Sequence, residues 1–242
     1  MSDAPLRDID VAVLAGGLGT RLAGVLADRP KILAPVAGRP FLDHLLAWLE
    51  RFGARRIVLC LGHRADAVLA HLAGRPPGGT EIVSLIEPAP LGTAGALRFA
   101  RTRLRSDPVL VANGDSFVDA DLAAFLDSHR RSGAPGSLLC TEIADAGRYG
   151  RVELDRHQRI RRFAEKDPAA SGGGLINAGI YLLGARLLDG IAGSAAGSLE
   201  REVFAALAPG TLHGFAGRFR FIDIGTPESL AAAQAMFAGA GR

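Results

Sequence analysis

The run Ala15-Gly16-Gly17-Leu18-Gly19-Thr20-Arg21-Leu22 directly follows a short apolar stretch, VAVL. Glycines there let backbone N–H groups approach phosphate oxygens, and a helix start behind them favours anions. Arg21 adds a planar, permanently charged fork for phosphate. Two familiar phosphate loops are excluded. The dinucleotide fingerprint needs a third small residue after Gly17-x-Gly19-x-x, and Leu22 stands there. The ATPase loop needs Gly-Lys-Ser/Thr, and neither lysine of the chain follows a glycine.

Those lysines are informative. Of 28 Lys plus Arg, only Lys31 and Lys166 are lysine, and only Asn113 and Asn177 are asparagine. Genome composition can explain the scarcity but not the positions. Lys31 follows Pro30 and precedes Pro35-Val36-x-Gly38-x-Pro40, a rigid loop that would hold an ammonium near the glycine run, as a triphosphate requires. Asn113-Gly114-Asp115 closes an apolar strand, and strand carboxyl ends are where α/β proteins bind ligands. Because Gly precedes Asp, an exposed carboxylate fits better than an Asp-Gly turn. After Asp223-Ile224-Gly225, Thr226 reads as a helix N-cap and Pro227 as the first helical residue.

The elements that must position these residues alternate. VAVLAG, RRIVLCLG, EIVSLIE and DPVLVANGD read as buried parallel strands. Between and after them, RPFLDHLLAWLERFG, ADAVLAHLAG, TAGALRFARTRL and DLAAFLDSHRRSG read as helices. Right-handed crossovers and a Rossmann-like, mostly parallel sheet follow. The second half adds strand-like segments, SLLCTEI, GRVELD, RIRRFAEK, GLINAGIYLL and RFRFIDIG, with helices expected at SLEREVFAAL and TPESLAAAQAMF. No linker or repeat intervenes. The expectation is one α/β domain over 1–242, with halves at about 9–118 and about 119–238 and antiparallel strands in the second.

Composition excludes several classes. Net charge is +3 with acids and bases interspersed, and the arginines of RFARTRLR and RHQRIRRF have no interleaved aromatics, so solvated faces are expected rather than a nucleic-acid groove. No apolar run is long enough for a bilayer, and MSDAPLRDID carries no secretory pattern. Cys60 and Cys140 lie in apolar runs and are expected buried and reduced, as in a cytoplasmic protein. None of the six histidines has metal-ligand spacing.

Gly-Gly-x-Gly-Thr-Arg-Leu, then Pro-Lys, then Pro-Val-x-Gly-x-Pro resembles the sugar-1-phosphate nucleotidyltransferases, which make NDP-sugars and pyrophosphate. The resemblance runs from Val11 to about Ala238 and is strongest to the D-glycero-α-D-manno-heptose 1-phosphate guanylyltransferases. It implies that Ala15, Gly16, Gly17, Gly19 and Thr20 bind the nucleotide and that Arg21 and Lys31 act on its triphosphate. Leu91-Gly92-Thr93-Ala94-Gly95-Ala96 resembles the segment under the nucleobase, with Glu87 near base or ribose and Asn113 also on the nucleotide. Asp115 and Asp223 would share Mg²⁺. Tyr149, Gly150, Glu165, Lys166 and Asn177 resemble the sugar-phosphate contacts.

The resemblance further implies GTP and a heptose 1-phosphate as substrates, serving cell-surface polysaccharide. Mannose 1-phosphate with GTP, or another sugar with UTP or dTTP, is the alternative. No second activity such as acetyl transfer is expected, a homo-oligomer remains open, and no nucleic-acid or membrane partner is implied. A catalytically silent, nucleotide-sugar-sensing subunit is the competing class, but Arg21, Lys31, Asp115, Lys166 and Asp223 are all present.

Overall fold

The computed structural model describes residues 4–17, 19–26, 29–76, 78–164 and 172–239. The first half runs β1 (Val11–Ala15), α1 (Ala23–Leu26), β2 (Pro35–Val36), β3 (Arg39–Pro40), α2 (Phe41–Arg51), β4 (Arg56–Leu61), α3 (Ala65–Ala73), β5 (Glu81–Ile86), α4 (Gly92–Ala100), β6 (Val109–Asn113) and β7 (Ser116–Val118). The second runs α5 (Leu122–Ser132), β8 (Gly136–Ile143), β9 (Arg151–Leu154), β10 (Ile160–Ala164), β11 (Gly174–Leu183), α6 (Ala185–Ala192), β12 (His213–Gly217), β13 (Phe221–Asp223) and α7 (Pro227–Ala238).

Nine described strands form one sheet in the order β10-β9-β11-β6-β1-β4-β5, with β8 paired along the whole length of β11 and β12 beside β8. The β6-β1-β4-β5 part is parallel. β11 joins it antiparallel to β6 and also pairs antiparallel with β8 and β9, so the sheet takes strands from both halves of the chain. This is the α/β architecture expected, with antiparallel strands supplied by the second half.

Alternation along the strands buries both faces. On one, Val11, Val13, Ile57, Leu59, Leu110, Ala112, Ile180 and Leu182 meet α2, α5 and α7. On the other, Ala12, Val58, Cys60, Val109, Val111, Tyr181 and Leu183 meet α4 and α6. α2 buries Phe41, Leu42, Leu45, Leu46, Trp48 and Leu49, the stripe its periodicity predicts. Asp121 caps α5 by accepting the N–H groups of Ala123 (2.8 Å) and Ala124 (3.2 Å). Thr226 caps α7 in a reciprocal box with Ser229, with Pro227 in the first turn, as expected.

Three features differ from the sequence expectation. SLEREVFAAL is not one α-helix: Leu199–Val203 is a single π-helical turn followed by a 3₁₀ turn at Phe204–Ala206. Tertiary packing overrides the helical pattern. Leu199 and Phe204 are both buried, and the Glu202 carboxylate turns back onto the N–H groups of Gly197 (3.0 Å) and Ser198 (3.2 Å). Helix α6 was not anticipated, because only Gly184, which has no capping side chain, separates its apolar residues from the long β11. β7 and β12 are short strands recognisable only by their pairing with β13 and β8. No helix among the described residues is long and apolar enough to cross a membrane.

Candidate active site

The carboxyl ends of β1, β5 and β6 open onto a two-chambered cleft, the position an α/β sheet reserves for ligands. The smaller chamber, about 280 Å³, is bordered by Ala15, Gly16, Gly17, Lys31 and Glu87. The larger, about 870 Å³, is bordered by Arg21, Tyr149, Gly150, Asn177 and Asp223. Gly92, Thr93, Asn113 and Asp115 border both, so the chambers share one wall. Gly19 and Thr20 border neither. Gly19 lies at φ +61°, in the left-handed region that favours glycine, and its carbonyl accepts the Leu22 N–H at 3.0 Å, closing the turn that carries Arg21. Glu165 and Lys166 lie outside the described residues.

At the shared wall, three loops converge on Asp115. Gly114 lets β6 approach β1: a β-carbon there would lie 2.9 Å from the Leu14 carbonyl oxygen. The Gly114 N–H donates to that oxygen at 2.8 Å. The Asp115 carbonyl accepts the Ile224 N–H at 2.9 Å, and Asp223 pairs with Ser116 in the β13-β7 ladder, so the two aspartates come from adjacent strand ends. Lys31 begins a 3₁₀ turn whose entry Pro30 sets, and its Nζ lies 2.6 Å from Asp115 Oδ2. The Tyr149 hydroxyl reports both acids. Burial raises its pKa first, and the charges of Asp223 and then Asp115 raise it further, against the opposing pull of Arg148. No group of three or more His, Cys, Asp or Glu that could cage a metal occurs among the described residues. Asp115 and Asp223 both border the larger chamber, and two carboxylates there suit Mg²⁺, which keeps waters and phosphate oxygens for the rest of its shell.

Glu87 forms the opposite end of the smaller chamber. It is 8% exposed, packed against Gly16 so closely that a β-carbon there would lie 2.5 Å from Oε1. Oε2 accepts the Leu91 N–H at 3.2 Å, whereas Oε1 is buried with no hydrogen-bond partner among the described residues. Burial pushes the Glu87 pKa up, and the Leu91 N–H pulls the other way.

The side chains of two sequence-derived contacts are engaged with the protein itself. The Thr93 hydroxyl accepts the Leu199 N–H (2.8 Å) and donates to Glu200 Oε2 (3.0 Å). Asn177 donates from Nδ2 to the Tyr181 hydroxyl (2.8 Å) and accepts the Gly179 N–H on Oδ1 (3.0 Å). Both residues shape the wall through these bonds. Glu200, which borders the larger chamber, was not singled out from sequence. In a stretch that reads as an amphipathic helix, nothing distinguishes it from Glu202.

A family model described as Nucleotidyl transferase matches residues 11–238. The mannose-1-phosphate guanylyltransferase of Mycobacterium tuberculosis is 36% identical over 227 residues, 92% of this chain and 62% of that protein. The mannose-1-phosphate guanylyltransferase catalytic subunit beta of Drosophila pseudoobscura pseudoobscura is 33% identical, over 89% of this chain and 59% of that one. The chain thus spans about three-fifths of the length of these curated relatives. Among solved structures, HddC from Yersinia pseudotuberculosis superposes with a TM-score of 0.84 at 32% identity, covering 95% of this chain and 99% of its own. HddC has also been solved complexed with GMP-PN. A putative glucose-1-phosphate thymidylyltransferase from Bacillus anthracis, TM-score 0.76 at 22% identity, shares the fold.

Proposed function

This chain belongs to the nucleotidyl transferase family, and from that premise we propose that it transfers a guanylyl group from GTP to a sugar 1-phosphate, releasing pyrophosphate. The observation that carries the base assignment is Glu87, whose buried carboxylate has one oxygen without a partner among the described residues. Guanine presents two neighbouring donors, N1–H and the N2 amine, which two carboxylate oxygens match. Uracil and thymine present one N–H between carbonyl oxygens, which a carboxylate repels. The curated relatives named as guanylyltransferases, and the GMP-PN complex of HddC, support the same base.

A sugar-phosphate oxygen attacks the α-phosphorus in line. The new P–O bond forms as the bond to the β-phosphate breaks and pyrophosphate leaves. The nucleophile needs no catalytic base, because a phosphate monoester has a second pKa of about 6 and is largely dianionic at pH 7. The problem is repulsion between polyanions, met by positioning and positive charge. Arg21 and Lys31 hold the triphosphate. Asp115 and Asp223 would hold Mg²⁺, which when bound neutralises phosphate charge. Tyr149 and Gly150 shape the sugar chamber, and Glu165 and Lys166 would hold the sugar hydroxyls and phosphate.

The sugar is proposed to be D-glycero-α-D-manno-heptose 1-phosphate, on the sequence resemblance. Mannose 1-phosphate is the second reading, favoured by the names of the curated relatives. Pyrophosphate release measured with GTP, ATP, UTP and dTTP against a panel of sugar 1-phosphates tests both. GTP is expected to exceed the pyrimidine nucleotides by at least about tenfold in kcat/KM, or about 1.4 kcal/mol. Preference for UTP or dTTP overturns the base assignment. A better kcat/KM for mannose 1-phosphate than for the heptose overturns the sugar.

A further inference from the structure

Glu200 stands at the centre of a directional hydrogen-bond chain. Its Oε1 accepts the Tyr181 hydroxyl at 2.9 Å, and its Oε2 accepts the hydroxyls of Thr93 at 3.0 Å and Ser198 at 3.2 Å. The proton directions are forced. The Tyr181 oxygen receives the Asn177 amide N–H at 2.8 Å, and the Thr93 oxygen receives the Leu199 N–H at 2.8 Å, so each hydroxyl is left to donate to Glu200. An ionised carboxylate, acceptor on both oxygens, closes this chain. A glutamine keeps only one acceptor oxygen, so a hydroxyl facing its NH₂ would lose the acceptor for its own O–H.

The chain spans the cleft. Thr93 opens α4 on the wall shared by both chambers, whereas Tyr181 and Asn177 belong to β11, which borders the larger one. Tyr181 is fully buried, so its hydroxyl has no water to substitute for Glu200. Glu200 itself rides on a single π-helical turn, a form that recurs at functional sites.

We propose that Glu200 is a positioning residue for the two-substrate reaction. It holds the Gly92–Thr93 wall and the Asn177–Tyr181 wall at one separation, and so sets the distance between the nucleotide's α-phosphate and the sugar phosphate. The inference rests on the guanylyl-transfer reading above. Because Glu200 spaces the substrates rather than gripping either, its loss falls on kcat more than on either KM. Small misplacements of reacting groups are enough, since about 1 Å costs on the order of a hundredfold in rate.

The experiment is steady-state pyrophosphate release by wild type, Glu200→Gln, Tyr181→Phe, Thr93→Val and the Glu200→Gln/Tyr181→Phe double variant. Each kcat is normalised to GTP-binding sites counted by calorimetry, so that unfolded protein does not register. Glu200→Gln is expected to lower kcat at least about tenfold while both KM values stay within about threefold. Tyr181→Phe and Thr93→Val should each lower kcat at least about threefold, and Tyr181→Phe should cost under about twofold once Glu200 is Gln. Wild-type kcat in Glu200→Gln, a loss confined to one KM, or additive effects in the double variant overturns the inference. If Glu200→Gln does not fold, the Tyr181→Phe and Thr93→Val kcat values decide, and wild-type values in both overturn it. A wild-type protein that releases no pyrophosphate with any substrate pair overturns the guanylyl-transfer reading and this inference with it, whereas an active wild type whose variants keep its kcat overturns the inference alone.

Discussion

The Lys31 ammonium lies 2.6 Å from Asp115 Oδ2, joining two loops 84 residues apart. The Lys31 side chain is only 15% exposed and that of Asp115 is 40% exposed, so the site for charge at the shared wall is narrow. An ammonium is a compact point charge, whereas a guanidinium is wide and planar. Lys31→Arg is therefore expected to lower kcat/KM for the nucleotide at least about tenfold, about 1.4 kcal/mol of transition-state stabilisation. The melting temperature should move little, since partly exposed pairs contribute about 0–1 kcal/mol. Kinetics beside a thermal melt check it, and unchanged kcat/KM would show that the lysine was not selected by shape.

Asp115 and Asp223 end neighbouring strands, and Gly225 keeps space for the second. A β-carbon at Gly225 would run into the Asp223 carboxylate and no other residue is among its nearest contacts. Asp115→Asn is expected to reduce turnover at least about a hundredfold at saturating magnesium. Gly225→Ala, by displacing Asp223, should lower kcat at least about tenfold with a near-normal melt. Full activity in Asp115→Asn would remove that residue from the metal site, and full activity in Gly225→Ala would show that Asp223 can move without consequence.

For Glu87, the nucleobase itself supplies a control. Inosine lacks the N2 amine of guanine, so wild type should prefer GTP to ITP by about tenfold or more. Glu87→Gln should lower kcat/KM for GTP by at least about tenfold and shrink the GTP/ITP ratio towards one. A ratio that survives the substitution would place base recognition elsewhere.

Stability should fall on the acid side for a reason visible in the core. His129 and His213 are buried, and burial is the first cause that lowers both pKa values. Neighbouring charges act further on each imidazole: His213 and Arg130 also lower His129, against Asp107, while Arg159 and Arg131 also lower His213, against the Gln158 backbone. Ser137 and Ser128 hydrogen-bond their rings at 2.8 and 2.9 Å. The sign follows from linkage. Above the unfolded histidine value of about 6.5 both states are neutral and the stability is fully present. Below it the unfolded chain takes protons first, and stability is lost as pH falls towards the depressed folded values. Urea midpoints between pH 8 and pH 5 should decline below about 6.5, and a flat profile would contradict the assignment.

Cys60 and Cys140 are buried, with thiols pushed up to about 12, by burial in both cases and additionally by the Glu87 charge for Cys60. Neither should react with iodoacetamide at pH 8 in the native protein, since the thiolate is the nucleophile. Both should alkylate in denaturant. Rapid native labelling, read by mass spectrometry, would mean that the sheet opens far more readily than its packing implies.

Much was legible in the residues alone. The apolar runs and helical stripes placed the alternating strands and helices of the first half, because a strand buried on both faces is apolar throughout, whereas a helix buried on one face is apolar about every 3.6 residues. Glycine at positions 16, 17 and 19 marked the turn that follows β1 at the cleft, and Thr226-Pro227 marked the start of α7, because backbone conformation there depends on the residue type itself. Residue type also selected Lys31, Asp115 and Asp223.

What the chain order could not contain was which polar groups would meet. Thr93 and Asn177 were expected as ligand contacts and both border the cleft, but nothing near them in sequence records that their side chains also bond Leu199, Tyr181 and Glu200. The Thr93 bond to Leu199 crosses 106 residues, and no local pattern records such a partner. The π-turn at Leu199–Val203 was decided in the same way: the sequence there satisfies a helical period, but burying Leu199 and Phe204 while aiming Glu200 at the hydroxyls of Tyr181, Thr93 and Ser198 does not. Hydrophobic periodicity is set by each segment's own two faces, whereas a hydrogen bond needs both partners within about 3 Å, and only the packed sheet brings them there.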